Sequence, residues 1–407
     1  MPRNRPFSEV PPTAGLPPRW RDLLPSGAGD LARAAAGFIG VDEVQLECSG
    51  TASLVIALTA MHRLSGRRAV IVPAYTCPLV ALAVAHCGLE LRLCDLAPGS
   101  IDFDATQLAR ACDRDTLAVV PTHLGGRVAD IATAKAIAAN VGAFVIEDAA
   151  QALGARVEGR SVGLDGDAGF FSLAVGKGLT TFEGGLLVAR DERLREAFAR
   201  VAREVAPFRF DLELKRLLQL FAYHVAYRPL LLGLAYGMPL RQALREGDPI
   251  AAVGDDFSAD IPLHTLGRWR QGVGARAFAR LSDFLATCTA QAQRRKARLA
   301  RIPGIEIVDD PVGAQGVWPF FMLRLRDEAT RDAALRELWA AGVGVSRLFI
   351  HALPDYAYLQ PIVGKFADDG GDVPNARAFA ATMLTISNSP WLGEATFESI
   401  CAVLDAG

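Results

Sequence analysis

Lysine is scarce in this 407-residue chain, with five lysines against 38 arginines. A lysine here is an unusual choice. Charge of one sign is lacking as well. The formal net charge is −2 and the pI about 6.3, which provides no global field for a polyanion and argues against a nucleic-acid binder. The seven cysteines form no C-x-x-C pair, and their odd number supports neither a disulfide framework nor a zinc ribbon. None of the six histidines has metal-ligand spacing to a cysteine or another histidine, so no catalytic metal is expected. The N-terminus, MPRNRPFSEVPPTAGLPPRW, is broken by prolines and holds no apolar run of signal-peptide length. These features lead to a cytoplasmic, reducing location as the expectation. Internal repeats and low-complexity tracts are also missing. Apolar residues are in surplus, at 51% of the chain and a mean hydropathy of +0.22.

Between about residues 44 and 190, short runs rich in Val, Ile and Leu alternate with helical patterns. The runs are VQLEC (44–48), AVIVPAY (69–75), LELRLCDL (89–96), LAVVPTHL (117–124), AFVIED (143–148) and GLLVAR (185–190). This predicts an α/β unit, a mostly parallel sheet covered by helices such as Ala52 to Leu64 and Ala129 to Val141. Chemistry in such sheets sits beyond the carboxyl ends of the strands. Further on, an Arg-rich helical stretch from Arg268 to Ala300 precedes a strand at 318–325, a helix from Ala329 to Ala341 stopped by Gly342, a strand at 343–350 and a helix from Asn375 to Leu384. The expected division is an arm (1–25), a large α/β domain (26–205), an apolar helical insertion (206–262) and a small C-terminal α+β domain (263–407). The arm is expected to be extended and draped over another surface.

Three strings carry candidate chemistry. In Cys48-Ser49-Gly50-Thr51-Ala52-Ser53 a strand gives way to a helix, whose unpaired N–H groups and dipole suit an anion, and Gly50 permits close approach. A plain N-cap by Ser49 or Thr51 explains the same string. In IEDAAQALGA, Asp148 ends an apolar strand, and a buried carboxylate needs a partner such as a protonated ring nitrogen. Capping of the next helix is the plainer role. In GDAGFFSLAVGKGLTTFEGGLLVA, Lys177 stands between two glycines, and only an amine can form a Schiff base. A surface-loop lysine is the alternative. Taken together, a phosphate cradle, a carboxylate for a pyridinium and a lysine for an aldehyde are the requirements of pyridoxal phosphate (PLP).

SGTAS, VPAYTCP, PTHLGGRVAD, IEDAAQALGA, GDAGFFS and KGLTTFEGG resemble the DegT/DnrJ/StrS-type sugar aminotransferases, of PLP fold type I. The resemblance is strongest from about residue 40 to 200. It implies that Lys177 forms the Schiff base, Asp148 pairs with the pyridine nitrogen and Gln151 lies near the phenolic oxygen. Ser172 and the backbone of Gly50, Thr51 and Ala52 would hold the phosphate. It further implies a homodimer, glutamate as amino donor and a keto group on a nucleotide-linked sugar as acceptor, for amino-sugar or surface-polysaccharide synthesis. A PLP-binding regulator or scaffold, or another PLP reaction on a sugar such as dehydration, remains the alternative. Dehydrating relatives typically carry histidine where this chain keeps Lys177.

The chain departs from the family in places. Cys77 stands where a stacking aromatic is usual, leaving Tyr75 as the nearby ring, and Phe182 stands where glycine is usual. The family's Asn-Tyr-Arg string, whose Asn reaches the neighbouring subunit's phosphate, corresponds at best to Arg268-Trp269-Arg270. His123 and His351 end strand-like runs and could face a sugar, although a structural role is favoured for each. The segment from Asp211 to Leu240 is strongly apolar, with Leu214, Leu217, Leu218, Phe221 and Val225 on one helical face. Arg228-Pro229 in its middle argues against a membrane span. Packing against the protein's own subunits is the default, and peripheral membrane contact through 212–240 the alternative.

Overall fold

The structure is a computed structural model that describes residues 8–24, 29–368 and 371–406. Its centre is a seven-stranded sheet built from Gln45–Glu47 (β1), Ala69–Pro73 (β2), Glu90–Cys94 (β3), Thr116–Val119 (β4) and Phe144–Asp148 (β5). After a ribbon of Arg156–Val157 (β6) and Arg160–Ser161 (β7), Ala168–Ser172 (β8) and Gly185–Ala189 (β9) complete it. The order is β1-β9-β8-β5-β4-β2-β3. The pairs β2/β3, β2/β4, β4/β5 and β5/β8 are parallel, and only β9 runs against its two neighbours. Every residue of β2, β4, β8 and β9 is buried. Helices cover both faces, which is why these strands read as continuous apolar runs rather than alternating ones.

The helix Gly50–Ser65 starts where β1 ends. Ser49 Oγ accepts the Ala52 N–H at 3.0 Å, and Gly66 closes the helix in the left-handed region. Most of its residues are buried because it lies under the sheet against β9 and β8.

A second, antiparallel sheet is formed by Ile305–Ile307 (β10), Phe320–Leu325 (β12), Val345–Ser346 (β13) and Met383–Ser387 (β14), while Ala314–Gln315 (β11) joins the β6/β7 ribbon. Here the sequence reading needs correction. The helix expected up to Leu384 ends at Thr382, and MLTIS forms β14, which lies between β12 and β13. Its five residues are all buried, so sheet pairing and packing outweigh the helical spacing of the preceding residues. The strand expected over 343–350 shrinks to β13, and the Arg-rich stretch divides into helices Arg268–Phe278 and Leu281–Leu299.

The apolar segment forms helix Phe210–Ala226, a short helix Pro229–Leu232, a π-helical turn Gly233–Gly237, and helices Met238–Glu246 and Pro249–Val253. The first helix stops just before Arg228-Pro229, as the proline requires. Within this chain its apolar face is covered only in part: Trp20 packs edge-on against Phe221, and Leu214, Leu218, Phe221 and Val225 are each at least 42% exposed. Among the described residues no helix is long and apolar enough to cross a membrane.

The described part of the arm, residues 8–24, is extended up to a 3-10 turn at Trp20–Leu23, and the surface it crosses belongs to this same chain. Glu9 N–H donates to Pro229 O, Val10 N–H to Gly342 O, Ala14 N–H to Pro319 O and Leu16 N–H to Gly178 O, at 2.7 to 3.0 Å. It ties together the insertion, the second sheet and the loop that carries Lys177.

Candidate active site

The carboxyl ends of β1, β4, β5 and β8 open onto a cavity of about 400 Å³, and Gly50, Thr51, Asp148, Gln151, Ser172 and Lys177 all line it. Four separate sequence strings therefore meet at one sheet edge. Ala52, the remaining expected contact, does not line the cavity: it is fully buried and its N–H is already taken by Ser49.

Asp148 is fixed by the backbone on both sides. Its N–H donates to Pro121 O and its C=O accepts from His123 N–H, each at 2.9 Å, while Oδ1 accepts from Ala150 N–H at 3.0 Å. Burial pushes its carboxyl above the ordinary range, opposed by the Ala150 N–H, Lys177 and His123. Lys177 follows Gly176, whose φ of +83° lies in the left-handed region that glycine tolerates. Burial lowers the Lys177 amine, against the pull of Cys77 and Asp148, and no described residue hydrogen-bonds its Nζ. Phe182, at φ +71°, holds a left-handed backbone where the family usually has glycine. That is local backbone strain beside the site.

The remaining groups are oriented donors. Gln151 Oε1 accepts the Gly125 N–H at 2.7 Å, which fixes the amide flip and leaves Nε2 as the free donor. A Cβ on Gly50 would stand 3.1 Å from Ser172 Cβ, so the glycine lets the serine close over the helix N-terminus. The first-turn N–H groups of that helix have no intrahelical acceptor.

His123 lines the cavity, but both ring nitrogens are engaged. Nδ1 accepts the Ala129 N–H at 3.1 Å, so the proton sits on Nε2, which donates to Glu147 at 2.9 Å. Glu147 also accepts from Gly163, Asp165 and Gly166 N–H, each at 2.6 Å. Burial works against its charge, yet the His123 bond and these N–H groups outweigh it and hold the carboxyl below its usual range. His351 is not on the cavity wall; it packs edge-on against Tyr356. Tyr75 turns away as well, with its hydroxyl on Phe349 O and its ring against Phe349 and Phe379. The rings that do line the cavity are Phe170, Phe257 and Phe349.

Arg268 is exposed and lies on a separate, mainly apolar groove with Phe208, Phe210 and Trp269. Arg270 is fully buried. It forms a two-pronged ion pair with Glu213 at 2.9 and 2.5 Å and donates to Glu183 O at 2.6 Å, which braces the turn after Lys177.

The family model described as the DegT/DnrJ/EryC1/StrS aminotransferase family matches residues 26–206 and 270–405. The chain belongs to this family. A curated relative, the GDP-perosamine synthase of Caulobacter vibrioides, is 27% identical over 382 residues, covering 92% of this chain and 88% of that protein. Among solved structures, DesI in the presence of its TDP-sugar product aligns with a TM-score of 0.74 and 22% identity, over 98% of this chain and 93% of that one. A putative sugar aminotransferase of Streptococcus pneumoniae in PMP-form aligns at 0.73 and 17%, over 99% and 98%. The fold is thus that of the PLP-dependent sugar aminotransferases, and the protein is an aminotransferase-family enzyme.

PLP is the cofactor the family implies, and the donor set fits it. One oxygen of the buried Asp148 has no described donor, Lys177 Nζ is free, and Gly50 leaves a cradle that a side chain would fill. The family motifs did not mark Thr76, Thr122, Glu183, Asp255 or Phe257, all on the same wall. Thr76, Thr122 and Glu183 sit inside the quoted strings and could have been found there. Asp255 and Phe257 come from the insertion, outside the matched residues, and no pattern in the sequence pointed to them.

Proposed function

We propose that this protein is a PLP-dependent aminotransferase that moves an amino group from glutamate onto a keto group of a nucleotide-linked sugar, and that it works as a homodimer. The observation that carries this reading is the meeting of Lys177, Asp148, Gln151, Ser172, Gly50 and Thr51 in one cavity. When bound, PLP supplies an electron sink for the carbon that loses its proton. Asp148 holds the ring nitrogen protonated, and the charge of that nitrogen in turn relieves the cost of burying the carboxylate. Gly50 and Thr51 N–H and the Ser172 hydroxyl donate to the phosphate, with the helix dipole favouring its charge. Gln151 Nε2 donates to the phenolic oxygen. Lys177 anchors the cofactor, and its Nζ, shifted toward the neutral amine by burial, accepts and returns the proton at the substrate carbon.

Retention of Lys177 favours amino transfer, because relatives that dehydrate typically carry histidine there and a protein that needs only the fold could lose the amine. The test is to load the purified protein with PLP, record the visible spectrum, add L-glutamate and then supply GDP- and TDP-linked keto sugars. A bound chromophore that changes with glutamate and is restored by a keto sugar supports the proposal. A protein that takes up no PLP overturns it.

A further inference from the structure

The insertion does more than enlarge the molecule: Val253, Gly254, Asp255 and Phe257 line the same cavity as Lys177 and Asp148. These residues lie outside the two stretches that the family model matches. The local geometry explains how they arrive there. Helix Pro249–Val253 ends at Gly254, with φ +77°, and Asp255 N–H turns back onto Ile250 O at 3.0 Å. The reversal drives Asp255 inward, where only 3% of it is exposed.

The carboxylate is held on one side only. Oδ2 accepts from Tyr356 Oη at 2.7 Å and from Ile350 N–H at 2.9 Å, and the Asp255 carbonyl accepts from Tyr358 Oη at 2.6 Å. No described residue donates to Oδ1. The Asp255 charge is also felt at Cys77, whose thiol is pushed up to about 12, first by burial and then by Asp148 and Asp255. Cys77 and Asp255 line the same cavity.

The composition of the wall narrows what that oxygen can meet. Lys177 is the only Lys or Arg among the described lining residues, although arginine abounds in the chain, whereas Asp148, Glu183 and Asp255 all lie on the wall. Beside Asp255 itself a phosphate or carboxylate would be repelled, so the charged groups of glutamate and of the nucleotide belong on other parts of the site. A neutral, polyhydroxylated ring would not, and a hydroxyl is the donor that an unpaired carboxylate oxygen accepts from.

We propose that Asp255 is a specificity-determining residue whose Oδ1 accepts a hydrogen bond from a ring hydroxyl of the acceptor sugar. The inference rests on the proposed function and adds the residue that reads the acceptor. A site built around such a bond discriminates strongly against a partner that cannot make it, because the buried group is then left unpaired.

The experiment compares PLP-loaded wild type with Asp255→Asn. Asparagine keeps an acceptor for Tyr356 and Ile350 but turns an N–H toward the cavity. Three readouts are taken: the visible spectrum, the rate of the half-reaction with L-glutamate, and KM for GDP- and TDP-linked keto sugars in the second half-reaction. The expected result is a rise in acceptor KM of about 10- to 100-fold, with the spectrum and the glutamate rate within about twofold. An unchanged acceptor KM overturns the assignment and leaves the aminotransferase reading intact. A wild type inert toward glutamate and every keto sugar overturns both. Should Asp255→Asn fail to bind PLP, Asp255→Glu, which keeps the charge but displaces it, decides by the same KM comparison. Loss of PLP binding in both variants makes Asp255 structural and overturns the proposal.

Discussion

Lys177 shows how one residue carries two demands. In the proposed reaction it must be accessible to PLP and still be poorly enough solvated to lose a proton, and its position in the cavity, free of any described hydrogen-bond partner, suits both. Lys177→Ala is expected to lower turnover by at least about 10²- to 10⁴-fold, the range for a positioned acid–base group, as measured by coupled assay of amino transfer. Retained turnover would remove the residue from this role. Asp255 makes a different demand, this time on stability. Burial pushes its carboxyl from 3.8 up to about 6, opposed by Tyr356, the Ile350 N–H and Arg347. The folded state therefore holds the proton more tightly than the unfolded one, and stability falls as pH rises from about 4 to about 6. Above that range the whole cost, on the order of 3 kcal/mol, is present. Asp255→Asn, which never ionises, should melt higher than wild type at pH 8 and nearly level with it at pH 4, in thermal unfolding followed by circular dichroism.

At the scale of elements, the turn after β8 depends on a helix distant in sequence. Arg270, from helix Arg268–Phe278, bonds the Glu183 carbonyl and pairs with Glu213 of helix Phe210–Ala226, while Glu183 itself lies in ion-pair contact with Arg216. The insertion thus braces the loop that carries Lys177. Removing one partner of a buried pair leaves the other charge uncompensated, at roughly 3 to 5 kcal/mol. Arg270→Ala is expected to lose stability of that order in urea unfolding and to bind PLP more weakly. Arg270→Ala combined with Glu213→Ala should recover part of the stability but not the PLP affinity, because the carbonyl brace stays lost. Equal recovery of both would show that the pair supports only the fold. In the sequence Arg268 stands at the position of the family's Asn, and spacing alone does not tell an exposed arginine from a buried one two residues later.

For the whole molecule, the apolar surplus of the composition has two destinations. One is the core of the large sheet, where β2, β4, β8 and β9 are buried on both faces. The other is the open face of helix Phe210–Ala226, with Phe210 at 69%, Leu218 at 62% and Phe221 at 51% exposure. A contiguous apolar face of this kind marks an association surface. Gel filtration with light scattering is expected to give twice the 43.4 kDa chain mass, and Leu218→Glu with Phe221→Glu should lower it without unfolding the chain. Flotation with liposomes after a high-salt wash would instead assign the face to a membrane. The sequence by itself determined the mostly parallel sheet and six of its seven strands, because short runs rich in Val, Ile and Leu bounded by Gly, Pro or Asp mark strands. It also pointed, through the strings that hold them and their resemblance to the family, to Gly50, Thr51, Asp148, Gln151, Ser172 and Lys177, which the structure brings to one cavity. Only the tertiary structure decided that MLTIS is a strand, that the arm crosses its own chain, that Tyr75 turns away, and that Asp255 joins Lys177. Each of these depends on contacts between segments distant in sequence, which no local periodicity records.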